Sequence, residues 1–107
     1  MNIDRATLKS KLKCLKHSAK SRNINCSLSL KDLEKIFNQS SVCFYFGRPL
    51  TLNDVTVDRL NCNKGYTKDN IVLCTKEANN LKNQLFESPS SRIAIDELKL
   101  FLQRCGL

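Results

Sequence analysis

Two groups of residues in this 107-residue chain carry chemistry in their spacing. The first is Lys9, Lys13, Lys16 and Lys20. At ~100° per residue they share one narrow stripe of a helix. Such a cationic ridge could follow a phosphate backbone, releasing counterions as it neutralises phosphates. The second group runs from Val57 to Cys74 and on to Lys82. Asp58-Arg59 closes the alternating Val55-Thr56-Val57, and Asn61-Cys62-Asn63-Lys64-Gly65 reads as a loop. Tyr66 follows, Asn70 opens the next apolar pattern, and Asn79-Asn80-Leu81-Lys82 lies inside that pattern. A carboxylate at a strand end, a glycine loop and two asparagines on the next element make one polar constellation.

Composition narrows the partners. Lys and Arg total 18 against 10 Asp and Glu, a net charge of +8, and the pI is near 9.4. A small basic domain attracts polyanions, of which nucleic acid is the usual one. With 41% hydrophobic and 26% charged residues, positions 1–107 read as a single globular domain. No apolar run reaches the ~18 residues of a membrane span. The polar, lysine-rich start is unlike a secretory signal, so a cytoplasmic location is expected. Six cysteines occur without a Cys-x-x-Cys pair, and His17 is the only histidine. That spacing writes no structural zinc site, and most of the thiols read as small buried apolar residues.

The elements that must hold these groups follow from periodicity. Asp4 caps a helix to about Arg22, with Leu8, Leu12, Leu15 and Ala19 on its packing stripe. Residues 25–30 alternate briefly and read as extended. Ser29 and Asp32 form a capping box for a second helix, which buries Leu30, Leu33, Ile36 and Phe37. These two helices make a basic region over 4–39. Val42 to Phe46 and Leu50 to Leu60 read as strands around a Gly47-Arg48-Pro49 turn. After Asn70, the spacing of Cys74, Ala78, Leu81 and Leu85 predicts a helix, broken by Ser88-Pro89-Ser90-Ser91. A last helix is expected from Arg92 to Arg104, within 91–105, with Ala94, Leu98, Phe101 and Leu102 inward and Gly106 as its stop. The order is α-α-β-β-α-α.

The middle stretch resembles the HNH, or ββα-metal, nucleases. Their pattern is Asp-His at a strand end, Gly-Tyr, a later Asn, then Asn-x-x-Lys in a helix. Its counterparts here are Asp58-Arg59, Gly65-Tyr66, Asn70 and Asn79-Asn80-Leu81-Lys82. Small phage-type members also carry a basic helix ending in an Ala-Lys-x-Arg-like run and then a Cys-x-Tyr-x-Gly segment. This chain has Ala19-Lys20-Ser21-Arg22 and Cys43-Phe44-Tyr45-Phe46-Gly47. The resemblance covers residues 5 to 85. It implies an α+β fold, a ββα-metal core over 42–86 with two N-terminal helices and one C-terminal helix.

The same resemblance implies a metal-dependent endonuclease that nicks or cleaves DNA phosphodiester bonds. Asp58 and Asn79 would hold one divalent cation, Mg²⁺ or Mn²⁺, as hard oxygen donors suit such ions. Arg59, Asn70 and Tyr66 would serve the reaction, with Asn70 bracing the loop. Lys9, Lys13, Lys16, Lys20, Arg22, Lys64 and Lys82 would contact double-stranded DNA. Arg59 stands where the family places its general-base His; a guanidinium cannot take a proton, though it can grip a phosphate in a fork. The base must then be another group, Tyr66 first, with Tyr45 and His17 as alternatives. The zinc knuckles of many relatives are also broken: Cys43 is kept, Phe46 replaces its partner and Ala78 precedes Asn79. Apolar packing is expected in their place. Two other readings stay open, a catalytically inactive scaffold that binds DNA and a small phage-type modulator that binds a host protein.

Overall fold

A computed structural model describes residues 1–87 and 93–107. Helix α1 spans Arg5–Ser21, and the Asp4 carboxylate caps it by accepting the Thr7 N–H at 2.7 Å. Leu8 and Ala19 of its stripe are buried, and Leu12 and Leu15 pack at the edge. Helix α2 spans Leu30–Gln39. Ser29 Oγ accepts the Asp32 N–H at 3.1 Å, and Asp32 Oδ2 accepts the Ser29 N–H at 2.9 Å. Reciprocal satisfaction of this kind fixes where the helix starts. Leu33 and Phe37 of α2 are fully buried. The amino group of Met1 ties the start of the chain to the end of α2, donating to the carbonyls of Phe37 and Ser40 at 2.7 Å each.

The strands differ from the sequence expectation. Val42 and Pro49 meet in one antiparallel bridge only, and residues 44–46 turn. Strand β1 is Val55–Arg59, and its partner is β2, Ile71–Thr75, where a helix was expected. The two run antiparallel, Val55 opposite Thr75 and Arg59 opposite Ile71. The 71–75 segment is too apolar all round for a helix face. Ile71, Leu73, Cys74 and Thr75 are all buried, so a covered strand satisfies them and a helix with one wet side would not.

Helix α3, Lys76–Lys82, starts where Thr75 Oγ1 accepts the Ala78 N–H at 3.2 Å. It continues into a π-helical turn, Asn83–Glu87. The expected break at Ser88-Pro89-Ser90-Ser91 and the helix start at Arg92 lie outside the described residues.

Helix α4, Ile95–Arg104, corrects a second expectation. Ala94, Leu98, Phe101 and Leu102 do not face the core. No residue of α4 is buried, Phe101 is 64% exposed, and α4 packs on none of the other described elements. The main core is formed instead by α1, α2 and the sheet, through Leu8, Leu33, Phe37, Val55 and Leu73. A third correction concerns the cysteines. Cys43 and Cys74 are buried, but Cys14, Cys62 and Cys105 are exposed. The architecture is thus α+β, with four helices and one two-stranded antiparallel sheet among the described residues. No described helix is long and apolar enough to cross a membrane.

Candidate functional site

A second small core, Ala19, Leu28, Tyr66 and Ile71, holds α1, the residue 60–70 loop and the sheet together. Above it lies an open groove of about 490 Å³. Asp58, Arg59, Tyr66, Asn79 and Glu87 line it, with Ser18 of α1 and its C-cap Arg22.

The loop is built by Asn70 and Gly65. Asn70 is buried, and its side chain makes three hydrogen bonds to backbone. Oδ1 accepts the Asn61 N–H at 2.9 Å, while Nδ2 donates to the carbonyls of Asn61 at 3.0 Å and Gly65 at 2.9 Å. These bonds tie the loop to the start of β2, and Asn70 precedes a strand and caps no helix. Gly65 passes so close to Asn25 that a Cβ would lie 2.5 Å from the Asn25 carbonyl oxygen. That approach lets Tyr66 N–H donate to Asn25 O at 2.8 Å and seats the Tyr66 ring in the core. Only glycine fits there.

Arg59 serves this loop too. Its Nη1 donates to the carbonyls of Cys62 at 2.8 Å and Lys64 at 3.0 Å. Its guanidinium carbon lies 5.4 Å from the Tyr66 ring centroid. Tyr66, expected as the first candidate base, accepts a hydrogen bond at its hydroxyl from Arg22 Nη2 at 2.8 Å. His17 is exposed on α1 and is not part of the groove lining.

The strongest contacts gather on Asp58, 7% exposed near the end of β1. Its Oδ2 accepts from the Tyr45 hydroxyl at 2.5 Å and from Lys82 Nζ at 2.8 Å. Lys82, expected on a phosphate, is turned inward and also donates to Glu87 Oε1 at 2.9 Å and to the Arg59 carbonyl at 2.7 Å. Burial alone would lower the Lys82 pKa. Its hydrogen bonds to Asp58, Glu87 and Tyr45 outweigh that and raise it. Burial, then the bond to Asp58, push the Tyr45 phenol up to about 12. Near neutral pH Tyr45 therefore keeps its proton and acts as a donor rather than a base.

Glu87 carries no signal that helical periodicity could detect. Five residues past Lys82, it would sit ~140° away on an ordinary helix. The π-helical turn widens the spacing toward i,i+5 and brings the carboxylate beneath the ammonium. Asn79 lines the same groove, while Lys9, Lys13, Lys16, Lys20 and Lys64 stand exposed outside it. None of those five lysines enters an ion pair among the described residues. Cys43, the kept half of the absent knuckle, is fully buried. Its sulfur accepts the N–H groups of Phe46 and Thr75, both at 3.4 Å.

Compared with protein-family models, curated proteins and solved structures, the chain matches none of them.

Proposed function

We propose that this chain is a small HNH-like nucleic-acid-binding protein whose groove takes a phosphodiester of DNA. The ridge of Lys9, Lys13, Lys16 and Lys20 lies on the flanking phosphates. One observation carries the reading. Asp58, Arg59, Tyr66 and Asn79, the residues that resemble the nuclease pattern, line a single groove together with Ser18 of the basic helix and Arg22 at its C-terminal cap. Arg22 and the ridge offer positive charge to a backbone, and Asn79, Asn80 and Asn83 line the groove with neutral hydrogen-bonding groups.

A divalent cation on Asp58 and Asn79 is what the resemblance implies, and the donor set does not fit it as arranged. Asp58 Oδ2 is already shared by an ammonium and a phenol, and Glu87 is bound by the same ammonium. Mg²⁺ asks for near-octahedral oxygen ligands at ~2.0–2.1 Å, and among the described residues no group of three or more His, Cys, Asp or Glu side chains gathers to hold an ion. Binding is therefore the primary reading. Cleavage is a second reading, favoured by Asp58 and Asn79 sharing the groove.

The expected result concerns salt. Binding of a short DNA duplex should weaken as salt rises. In Lys13→Glu/Lys16→Glu/Lys20→Glu the slope of log K against log[salt] should flatten by ~0.9 for each phosphate that the ridge no longer neutralises. Fluorescence anisotropy over a salt series measures both. An unchanged slope removes the ridge from the interface, and no binding even at low salt overturns the reading. Supercoiled-plasmid nicking in Mg²⁺ or Mn²⁺ that is abolished in Asp58→Ala would establish cleavage.

A further inference from the structure

The polar network at Asp58 has a geometry beyond that of an ordinary ion pair. Lys82 Nζ has three near oxygens, Arg59 O at 2.7 Å, Asp58 Oδ2 at 2.8 Å and Glu87 Oε1 at 2.9 Å. Leu60 O lies farther out at 3.4 Å. An ammonium has three protons, so each close oxygen takes one. Two carboxylates and two backbone carbonyls around one point are also the donor types that Ca²⁺ and Mn²⁺ take. Side-chain exposures of 16% for Lys82, 8% for Asp58 and 19% for Glu87 keep the point largely out of water.

Chain geometry builds this cage from separate places. Asp58 and the Arg59 carbonyl come from the end of β1, Lys82 from the last residue of α3, and Glu87 from the π-helical turn. We infer that Lys82 is the site's resident cation, seated in an oxygen cage whose donors would otherwise suit a divalent ion, so that the wild-type groove meets phosphate without a metal in that cage. The phosphate half of this inference rests on the DNA-binding reading above; the cage half stands on the oxygens alone. A divalent ion entering the wild-type cage must first displace a paired, partly buried ammonium, which leaves that charge without its partners.

The test is Mn²⁺ titration of the full chain by calorimetry, without DNA, on wild type and Lys82→Ala. Removing the ammonium should let the cage take up a single Mn²⁺ about tenfold or more tightly than wild type, since no paired cation has to be displaced. Equal affinity in the two proteins overturns the inference, as does tight Mn²⁺ binding by wild type. Should Lys82→Ala fail to fold in metal-free buffer, recovery of its circular dichroism with Mn²⁺ supports the cage, and no recovery overturns it. For the phosphate half, the wild-type chain should bind a DNA duplex in EDTA, and added Mn²⁺ should not tighten that binding, acting only as a competing counterion of the DNA. A requirement for Mn²⁺ overturns that half. Loss of DNA binding in both buffers would instead sink the DNA-binding reading and leave the Mn²⁺ result standing.

Discussion

Asp58→Ala is expected to destabilise the fold by about 3 kcal/mol, read as a fall in the urea midpoint at unchanged slope. The cost does not come from a surface ion pair, which would be worth under ~1 kcal/mol. Asp58 is 7% exposed, and its removal strips Lys82 of one of two carboxylates and leaves the Tyr45 hydroxyl without its acceptor. Glu87 still holds the ammonium, which keeps the effect at the lower end of what breaking a buried pair costs. Asp58→Ala/Lys82→Met/Glu87→Gln, which leaves no charge of the network without its partner, should recover part of the stability. Wild-type stability in Asp58→Ala would show that the network is slack.

The same variant has a signature in alkali. Tyr45 in the fold titrates at about 12, against ~10 for a free phenol. A raised folded pKa means that the stability it contributes is complete below pH ~10 and is lost as pH climbs through the folded value. Lys82, also raised, acts in the same direction. With Asp58 removed, the phenolate titration of Tyr45 should fall back toward the free value. Only part of the shift should go, because burial is its largest cause.

Asn70→Ala is expected to cost about 2–3 kcal/mol, close to 1 kcal/mol for each of three hydrogen bonds. The bonds run from one buried side chain to the Asn61 N–H and to the Asn61 and Gly65 carbonyls, so nothing else in the loop replaces them. Asn70→Asp retains the acceptor toward Asn61 N–H and loses both donors, so it should lie between alanine and wild type only if its new charge is tolerated at 7% exposure. The loop also carries the two carbonyls that hold Arg59. DNA binding should therefore weaken alongside stability, whereas a merely local defect would lower stability alone.

Much of the N-terminal half was legible because its signals are local. Asp4 and the Ser29/Asp32 pair mark helix starts by side-chain chemistry that needs no tertiary partner, and both caps form. The stripe from Leu8 to Ala19 closes onto the core as its spacing implies. The middle was harder to read. Cys74, Ala78, Leu81 and Leu85 fit a helical period, yet the first of them lies in a strand, because pairing with Val55–Arg59 outweighs local periodicity. Val42 to Phe46 has strand composition but finds only one bridge. At α4 an amphipathic pattern implied a covered face, and none of the other described elements covers it.

For the site, the motif residues Asp58, Arg59, Tyr66, Asn70 and Asn79 were legible by type and order. Their partners were not. Tyr45 reaches Asp58 across the turn that replaces an expected strand, and Glu87 reaches Lys82 through a change of helical pitch. Neither interaction leaves a trace in residue spacing.

The most direct measurement is the map of backbone amide shifts when a short DNA duplex is added to the wild-type chain in EDTA. Changes should gather at Arg22, Arg59, Tyr66 and Asn79 and run along α1 from Lys9 to Lys20. Changes confined to α4, or none at low salt, would contradict the groove as the DNA-binding site.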